Sequence, residues 1–266
     1  MPFGRPDSEQ KLTYGGYLRV DELVALQQLR SSPAQHDETL FIIIHQVYEL
    51  WFKQLLHELD AIVKLIDADE LLGALRLLRR CHEIQRVLVA QIAVLETMTP
   101  IDFLAFRDHL MPASGFQSAQ FRELEFLAGL KEARYLEFYP AGTPARERLD
   151  RRFAGRTLRE AFHAALTRRG MSPDASGIAE LYKGASKQME LFLLAEGLLD
   201  FDELLSQWRM RHVQMVERVI GGRQGTGGSD GASYLRGTVA RRVFPELWDA
   251  RNLMGVAPGA EAPAHG

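Results

Sequence analysis

His212 occupies a place where a histidine could bind a metal. It lies within a segment whose apolar residues recur three and four positions apart and therefore share one helical face: Leu205, Trp208, Met215, Val216 and Val219. A neutral imidazole on such a face can bind iron or another metal through one ring nitrogen. A hydrogen-bonded histidine of the core is the more common reason for this placement, so both interpretations are open at this point.

A glycine-rich stretch follows this helix and could bring its backbone close to a ligand. Gly221 and Gly222 predict the end of the helix, because glycine adopts the left-handed conformation there without steric cost. Thr226 and Ser229 add hydroxyl groups to a loop that we expect to reach Thr238. The glycine spacing matches neither a dinucleotide fingerprint nor a phosphate loop. The alternative is a flexible surface connection.

Two further polar residues lie among apolar neighbours. His45 lies in the strongest predicted helix, where it either pairs with Glu49 one turn on or points into a cavity between Phe41 and Tyr48. Arg107 has no carboxylate three or four positions away on its own helix. Because a buried guanidinium needs an anion, we expect either an acid on another helix or the carboxylate of a ligand.

The other histidines do not form a recognisable metal motif. A di-iron helical bundle needs two Glu-x-x-His pairs, and only Glu160 and His163 fit. The His-Glu-x-x-His zinc motif and the Cys-x-x-Cys-His haem attachment are absent from the sequence. A non-covalently bound haem needs only one histidine and a broad apolar pocket. His212 could supply the first, and aromatic residues such as Phe41 and Phe52 part of the second.

Helical periodicity runs along most of the chain, with no period-two stretch and no internal repeat, so we predict an all-α fold. The expected helices cover residues 20–29, 37–67, 70–98, 99–111, 120–130, 158–167, 178–199, 201–220 and 239–253.

We predict one helical domain over residues 13–254, a flexible N-terminus over residues 1–12 and a disordered tail over residues 255–266. Prolines, glycines and weaker periodicity over residues 141–177 predict a peripheral helical excursion from the main bundle. The segment TYGGYL, residues 13–18, predicts either a turn packed on its own domain or an arm that covers a pocket, on this or a neighbouring chain.

The composition of the 266 residues is that of an ordinary globular protein, with 46% hydrophobic and 25% charged residues. A net charge of −3 offers no general attraction to nucleic acid or to an anionic membrane. The one cysteine, Cys81, excludes an intrachain disulfide framework and fits a reducing cytoplasm. The N-terminus has no signal-peptide pattern, and the longest strongly apolar run, residues 40–44, is too short to cross a bilayer. We therefore expect a cytoplasmic protein with no nucleic-acid or membrane partner.

Three long motifs carry a resemblance to a known family. They are FIIIHQVYELWFKQ at residues 41–54, DFLAFRDHLMPASGFQSAQFRELE at residues 102–125 and WRMRHVQMVERVIGGRQGTGGSDGASYLR at residues 208–236. Together they closely resemble the tryptophan 2,3-dioxygenases, haem enzymes that open the indole ring. The resemblance covers about residues 12–254 and is looser over residues 141–177.

The resemblance implies a helical bundle around a pocket for haem b, whose iron is ferrous in the active state. His212 would be the proximal iron ligand, and His45 the distal histidine near the indole N–H. Arg107 and Thr226 would bind the carboxylate and the ammonium of the amino acid. These roles are what the resemblance implies; the spacing alone leaves the alternatives above open.

The resemblance also implies residues around the pocket. Phe41 and Phe103 would be walls, and Ser114 and Gly115 would line the region near the haem. Some members of the family carry tyrosine at the position of Phe103, so one hydroxyl contact is missing here. The family is a homotetramer built as a dimer of dimers, in which an N-terminal arm completes a neighbour's site; its residues here would be Tyr14, Tyr17 and Leu18.

The implied reaction converts L-tryptophan and dioxygen to N-formyl-L-kynurenine, the first step of tryptophan degradation by the kynurenine pathway. His45 would accept a hydrogen bond from the indole N–H without removing its proton, because that group is a very weak acid. One alternative is a non-catalytic haem-binding sensor or carrier, which would use His212 but leave Arg107 and Thr226 without a purpose. A helical binding protein without a metal is the other.

Overall fold

The computed structural model describes residues 12–223 and 232–254, with side chains from residue 235 onwards in the second range. Within these residues the chain is helical and contains no strand, so the predicted all-α class is confirmed. The predictions for the extreme N-terminus, for Thr226 and for the C-terminal tail lie outside the described residues.

The α-helices are α1 (Tyr14–Leu18), α2 (Val20–Val24), α3 (His36–Asp67), α4 (Leu71–Ala90), α5 (Ile92–Leu95), α6 (Pro100–Arg107), α7 (Ala119–Ala128), α8 (Pro144–Ala154), α9 (Leu158–Arg168), α10 (Ala175–Lys183), α11 (Met189–Ile220), α12 (Ala232–Val239) and α13 (Pro245–Asp249). Short 3₁₀ turns cover Asp108–Leu110, Gly115–Gln117, Ala133–Phe138, Ala185–Lys187 and Ala250–Leu253.

Two helices of 32 residues each, α3 and α11, form the centre of the molecule together with α4. Apolar residues lie nearly all round α3, so it is buried on several sides. Ile62 and Ile66 of α3 and Leu194 and Leu198 of α11 have no exposed surface. Each such side chain contributes roughly 1.5–3 kcal/mol to folding by leaving water. These two helices therefore provide the rigid frame on which the site is built.

α4 and α11 approach each other closely at Gly197. A Cβ atom at this position would lie 2.9 Å from Cδ2 of Leu78, so the absence of a side chain permits the contact. His82 Nε2 donates to the Gly197 carbonyl over 2.9 Å, and Gln85 Nε2 donates to the Phe201 carbonyl over 3.0 Å. Burial lowers the pKa of His82. These two polar contacts fix the register between the helices.

Several helix boundaries differ from the predictions. The helix expected over residues 70–98 is interrupted at Gln91, between α4 and α5. A single continuous helix, α11, runs through Asp200, where we had placed a break. The interruption lies earlier, after Gly184, which ends α10. Asp200 is exposed, so it continues the helix without burying its charge.

The N-terminal segment is helical where a turn was one prediction. The Thr13 hydroxyl accepts from the Gly16 N–H over 3.0 Å and starts α1. α2 ends well before the predicted boundary at residue 29. Neither helix contains a buried residue, and Tyr14 and Tyr17 are 80% and 71% exposed.

Two other predictions about peripheral segments need correction. The excursion predicted over residues 141–177 is not peripheral as a whole, because Leu158 and Phe162 of α9 are fully buried in the main core. α8 contributes Leu149 to a separate small cluster. The glycine-rich loop is shorter than expected, since α12 begins at Ala232, within the stretch predicted to be loop.

A buried carboxylate ties the chain after α12 back to α11. Asp202 has no exposed surface and accepts from the N–H groups of Val243 and Phe244 over 3.0 and 3.1 Å. It also accepts from Nε1 of Trp248 over 3.0 Å. All three donors belong to the segment around α13, so one residue of α11 holds this segment in place.

Among the described residues, no single helix combines the length and apolar character needed to cross a membrane. One bent pair, Leu71–Leu95 and Pro100–Leu110, meets the requirement jointly, with 89° between its two parts.

Candidate active site

A cavity of about 290 Å³ lies between α3, α6, α11 and the turn that precedes α7. Its apolar lining includes Tyr48, Phe52, Leu95, Met98, Phe116, Phe121, Trp208, Met215, Val216, Val219 and Ile220. The structure brings together many of the predicted site residues in this lining: Phe41, His45, Phe103, Arg107, Ser114, Gly115 and His212.

His212 projects from α11 into this cavity. Its ring stacks on Trp208, one turn earlier, with ring centroids 5.3 Å apart and an angle of 13° between the planes. Within the described part of the chain, the imidazole makes no hydrogen bond. Burial, and then the charge of His45, lower the pKa of His212 to about 4. The ring is therefore neutral at pH 7, with a nitrogen lone pair available to a ligand.

His45 of α3 is fixed by the backbone of its own helix. Its Nδ1 lies 2.6 Å from the Phe41 carbonyl oxygen. Since a carbonyl can only accept, Nδ1 carries the proton and Nε2 carries the lone pair. Burial lowers the pKa of His45, although the contact with Phe41 and the charge of Glu49 oppose this shift. The ring remains accessible from the cavity that it lines.

Arg107 ends α6, whose start is strongly specified. The Thr99 N–H donates to Asp102 over 2.9 Å in a capping box, and Pro100 occupies the first position of the helix. Nη1 of Arg107 lies 4.0 Å from Oδ1 of Asp108, the adjacent residue, which is not one of the positions three or four residues away considered from the sequence. The 3₁₀ turn after α6 produces this contact. The side chain of Asp108 is 86% exposed, whereas that of Arg107 is 17% exposed, so solvent weakens the pair.

Phe41 and Phe103 form an aromatic part of the cavity lining, and Phe106 packs against both rings. The ring centroids of Phe41 and Phe103 are 5.7 Å apart, and those of Phe41 and Phe106 are 5.6 Å apart. Phe103 and Phe106 meet edge to face at 88°. A wall of this kind favours a flat apolar ligand.

A short 3₁₀ turn also contributes to the cavity lining. The Ser114 hydroxyl accepts from the Phe116 N–H over 3.3 Å, and the Ser114 N–H donates to Gln117 over 3.3 Å. A Cβ atom at Gly115 would meet nothing within 4 Å, so this side of the turn faces open space. The backbone at Gly115 is therefore accessible to a ligand in the cavity.

A buried charged group in the lining was missed from the sequence. Nη2 of Arg209 donates to Glu125 over 2.7 Å, and Arg122 donates to the other oxygen of the same carboxylate. Nη1 of Arg209 donates to the Arg241 carbonyl over 3.0 Å. The spacing of Arg209, three residues before His212, was an available signal, because such residues share a helical face.

Residues of α12 also line the cavity, whereas those of α1 do not. Leu235 and Thr238 of α12 line the cavity, in a segment where the sequence predicted loop. The predicted arm residues Tyr14, Tyr17 and Leu18 are not part of the lining within this chain. Across residues 12–223 and 232–254, no three His, Cys, Asp or Glu side chains are grouped to hold a metal ion.

Comparison with known proteins identifies the family. The family model described as tryptophan 2,3-dioxygenase matches residues 4–176 and 157–254, which together span nearly the whole chain. The chain belongs to the tryptophan 2,3-dioxygenase family. The resemblance inferred from the three sequence motifs is therefore confirmed.

Several relatives named tryptophan 2,3-dioxygenase match along almost their full length. The protein from Nocardioides sp. is 52% identical over 262 residues, which cover 95% of this chain and 97% of the relative. Those from Herpetosiphon aurantiacus and Caulobacter vibrioides are 46% and 43% identical, each over 91% of this chain and 98% of the relative.

Tryptophan 2,3-dioxygenases are haem-dependent, and the cavity residues fit this cofactor. A tetrapyrrole requires a broad apolar space and one axial ligand. The neutral imidazole of His212, without a hydrogen bond to any described residue, meets the second requirement. Apolar side chains of α11 around it, including Met215 and Val219, meet the first.

Proposed function

We propose that this member of the tryptophan 2,3-dioxygenase family converts L-tryptophan and dioxygen to N-formyl-L-kynurenine. Both oxygen atoms enter the product across the double bond of the pyrrole ring, so the overall reaction consumes no external reductant. One observation carries the proposal: the lining of one largely apolar cavity includes two histidines of lowered pKa, His45 and His212, together with Arg107. The family match and the relatives' names support it.

His212 would bind the iron of haem b through a ring nitrogen. Ferrous haem, when bound, would supply the activation of dioxygen. The stacked Trp208 limits rotation of the imidazole, so the nitrogen keeps its direction. The apolar lining keeps water away from the reacting groups.

His45 would hold the indole by its N–H group. Its Nε2 is an acceptor, because Nδ1 donates to the Phe41 carbonyl. The indole N–H is far too weak an acid to be deprotonated readily by a neutral imidazole, so His45 orients the ring rather than acting as an obligatory base. Phe41 and Phe103 would contact the flat indole on the apolar side.

Arg107 would bind the substrate carboxylate in a charge-assisted, bidentate pair. The loose contact with exposed Asp108 would be replaced by this stronger one. We also propose that Thr226, which lies outside the described residues, binds the ammonium group, as the resemblance implies. Phe103 lacks a hydroxyl, so the head group has one contact fewer than in members with tyrosine here.

We further propose a homotetramer, built as a dimer of dimers, in which the N-terminal arm completes a neighbour's site. The exposure of Tyr14, Tyr17 and Leu18, on a helix without a buried residue, supports this arrangement. A mass measurement in solution tests the assembly, and a monomer with full activity would contradict it. A cytoplasmic location is proposed from the single, reduced Cys81.

The function is tested by absorption spectroscopy and by product formation. The reduced protein with carbon monoxide should show a haem band that shifts on addition of L-tryptophan. In a separate sample without carbon monoxide, L-tryptophan and dioxygen should yield formylkynurenine absorbance. His212→Ala should lose haem. A haem band without product would favour a sensor or carrier, and a colourless protein, prepared with ample iron and haem precursor, would contradict haem binding.

A further inference from the structure

Glu49 is a carboxylate in the cavity lining that the proposed reaction does not use. It lies one helical turn after His45 on α3. One of its oxygens accepts from the Ser118 hydroxyl over 2.6 Å, and the other accepts from Nε2 of Gln120 over 2.7 Å. The same Gln120 nitrogen donates to the Glu49 backbone carbonyl over 3.0 Å. Glu49 thus joins α3 to the start of α7 by accepting three hydrogen bonds.

Ser118 links Glu49 to the part of the cavity wall that contains Gly115. Its hydroxyl donates to Glu49 and accepts from the Phe121 N–H over 3.2 Å as the N-cap of α7. Its own N–H donates to the Gly115 carbonyl over 3.1 Å. Phe121 in turn packs against Trp208, with ring centroids 4.9 Å apart. A displacement of Ser118 would therefore move both Gly115 and Phe121.

Glu49 is a partly buried carboxylate whose oxygens accept hydrogen bonds from neutral side chains. Within the described residues, no arginine, lysine or histidine forms an ion pair with it, and its carboxylate partners are neutral donors. Partial burial of such a charge costs more than burial of a neutral side chain. An ionised carboxylate, however, only accepts hydrogen bonds, so both partners must donate and each has one orientation. The charge on Glu49 therefore fixes the orientations of Ser118 and Gln120, which keeps the cavity wall in place, although burying the charge lowers stability.

We propose that Glu49 is a positioning residue that clamps the cavity wall at residues 114–118 to the helix that carries His45. This inference rests on the proposed function, since the wall would confine the indole beside His45. A small error in the placement of a bound ring has a large effect on rate. The grip on the amino-acid head at Arg107 involves other elements, so loss of the clamp should lower kcat while KM changes little.

The test compares Glu49→Ala, Ser118→Ala and the double variant, each as the haem-loaded enzyme. We expect each single variant to lower kcat for L-tryptophan about tenfold, with KM within about twofold of the wild type. The double variant should show about the same kcat as Glu49→Ala, because that change already removes the hydrogen bond between Ser118 and Glu49. The shift of the ferric haem band on L-tryptophan binding should change in the same variants.

Two control variants separate positioning from general destabilisation. Glu58→Ala removes a more deeply buried carboxylate further along α3, held by Gln54 and Arg80 and absent from the cavity lining. Thr157→Ala removes the N-cap of α9, as Ser118→Ala removes that of α7. Both controls should lower the midpoint of thermal unfolding and leave kcat unchanged.

The clamp is overturned if Glu49→Ala or Ser118→Ala keeps wild-type kcat below its unfolding temperature, or if their effects multiply in the double variant. If Glu49→Ala does not fold, the kcat of Ser118→Ala decides. Absence of formylkynurenine from the wild type would overturn the proposed function instead, so the two failures are distinguishable.

Discussion

The hydrogen bond between His45 Nδ1 and the Phe41 carbonyl decides what this histidine can do, because it leaves Nε2 as an acceptor. We predict that His45→Ala retains haem and lowers kcat/KM for L-tryptophan roughly three- to tenfold, as expected for a hydrogen bond of about 0.5–1.5 kcal/mol. The wild type and the variant should differ much less with 1-methyl-L-tryptophan, which has no indole N–H. Loss of haem from His45→Ala would mean that the two histidines have exchanged roles.

The protonation state of His45 leads to a pH prediction. Burial lowers its pKa below the usual histidine value of 6.5, and Nε2 can accept only while the ring is neutral. Activity should therefore be constant from neutral pH down to about 6.5 and fall only at lower pH, as the ring takes up a proton. A profile of kcat/KM against pH measures this. A decline that begins above pH 7 would contradict the assignment of the neutral form.

Arg107 is predicted to set substrate affinity. Arg107→Ala should raise KM for L-tryptophan about a hundredfold, which corresponds to about 3 kcal/mol of charge-assisted hydrogen bonding, with a smaller change in kcat. Arg86→Ala is the matched control, since this exposed arginine pairs with Glu83 far from the cavity lining. A normal KM in Arg107→Ala would show that the carboxylate binds elsewhere.

Sequence motifs identified His45, Arg107 and His212 because each departs from an apolar helical pattern at a fixed spacing. The spacing places Arg209 on the same helical face as His212, but its buried pairing with Glu125 could not be predicted from the sequence. Its two members are far apart in the sequence, and either could have been an exposed charge on a helix surface. Only the packing of α7 against the remaining helices decides between these possibilities.

At the level of elements, Asp202 is predicted to hold the C-terminal segment on α11. Asp202→Ala would leave the two buried N–H groups of Val243 and Phe244, and the half-buried Nε1 of Trp248, without this acceptor. We expect a loss of about 3 kcal/mol or more in the free energy of unfolding, measured by urea denaturation. Asp200→Ala, an exposed acid on the same helix, should change it by less than about 0.5 kcal/mol. Equal effects of the two substitutions would contradict the anchor.

The existence of the helices was easier to predict than their limits. α3 agrees with its predicted range nearly to the residue, because its periodicity is long and uninterrupted. The predicted break at Asp200 does not exist, because α11 is continuous there. The observed break at Gln91, between α4 and α5, was not predicted. Glycine and proline mark neither position, so the local sequence contains little to decide them.

For the whole molecule, buried histidines make stability depend on pH above the range where carboxylates titrate. His82 has a lowered pKa because of burial, so below about pH 6.5 the unfolded chain binds a proton that the folded chain does not. Stability is therefore retained above this pH and falls below it, by at most about 1.4 kcal/mol per pH unit for one group. The carboxyls with lowered pKa, such as Glu246, act only at lower pH.

We predict that His82→Gln reduces this dependence. Glutamine can still donate to the Gly197 carbonyl but does not titrate. The difference in unfolding free energy between pH 8 and pH 5.5, measured by urea denaturation, should be smaller in the variant than in the wild type. An identical difference would show that His82 is not among the groups responsible.

The cavity lining begins at Phe41 on α3 and ends at Thr238 on α12, so its parts come from both ends of the chain. A nascent polypeptide that has released α3 to α7 from the ribosome still lacks the whole side formed by α11. If His212 binds the haem iron, as proposed, that bond therefore cannot form during most of translation. Cofactor capture belongs to the last stage of synthesis or follows it, and a truncated product without α11 should accumulate colourless.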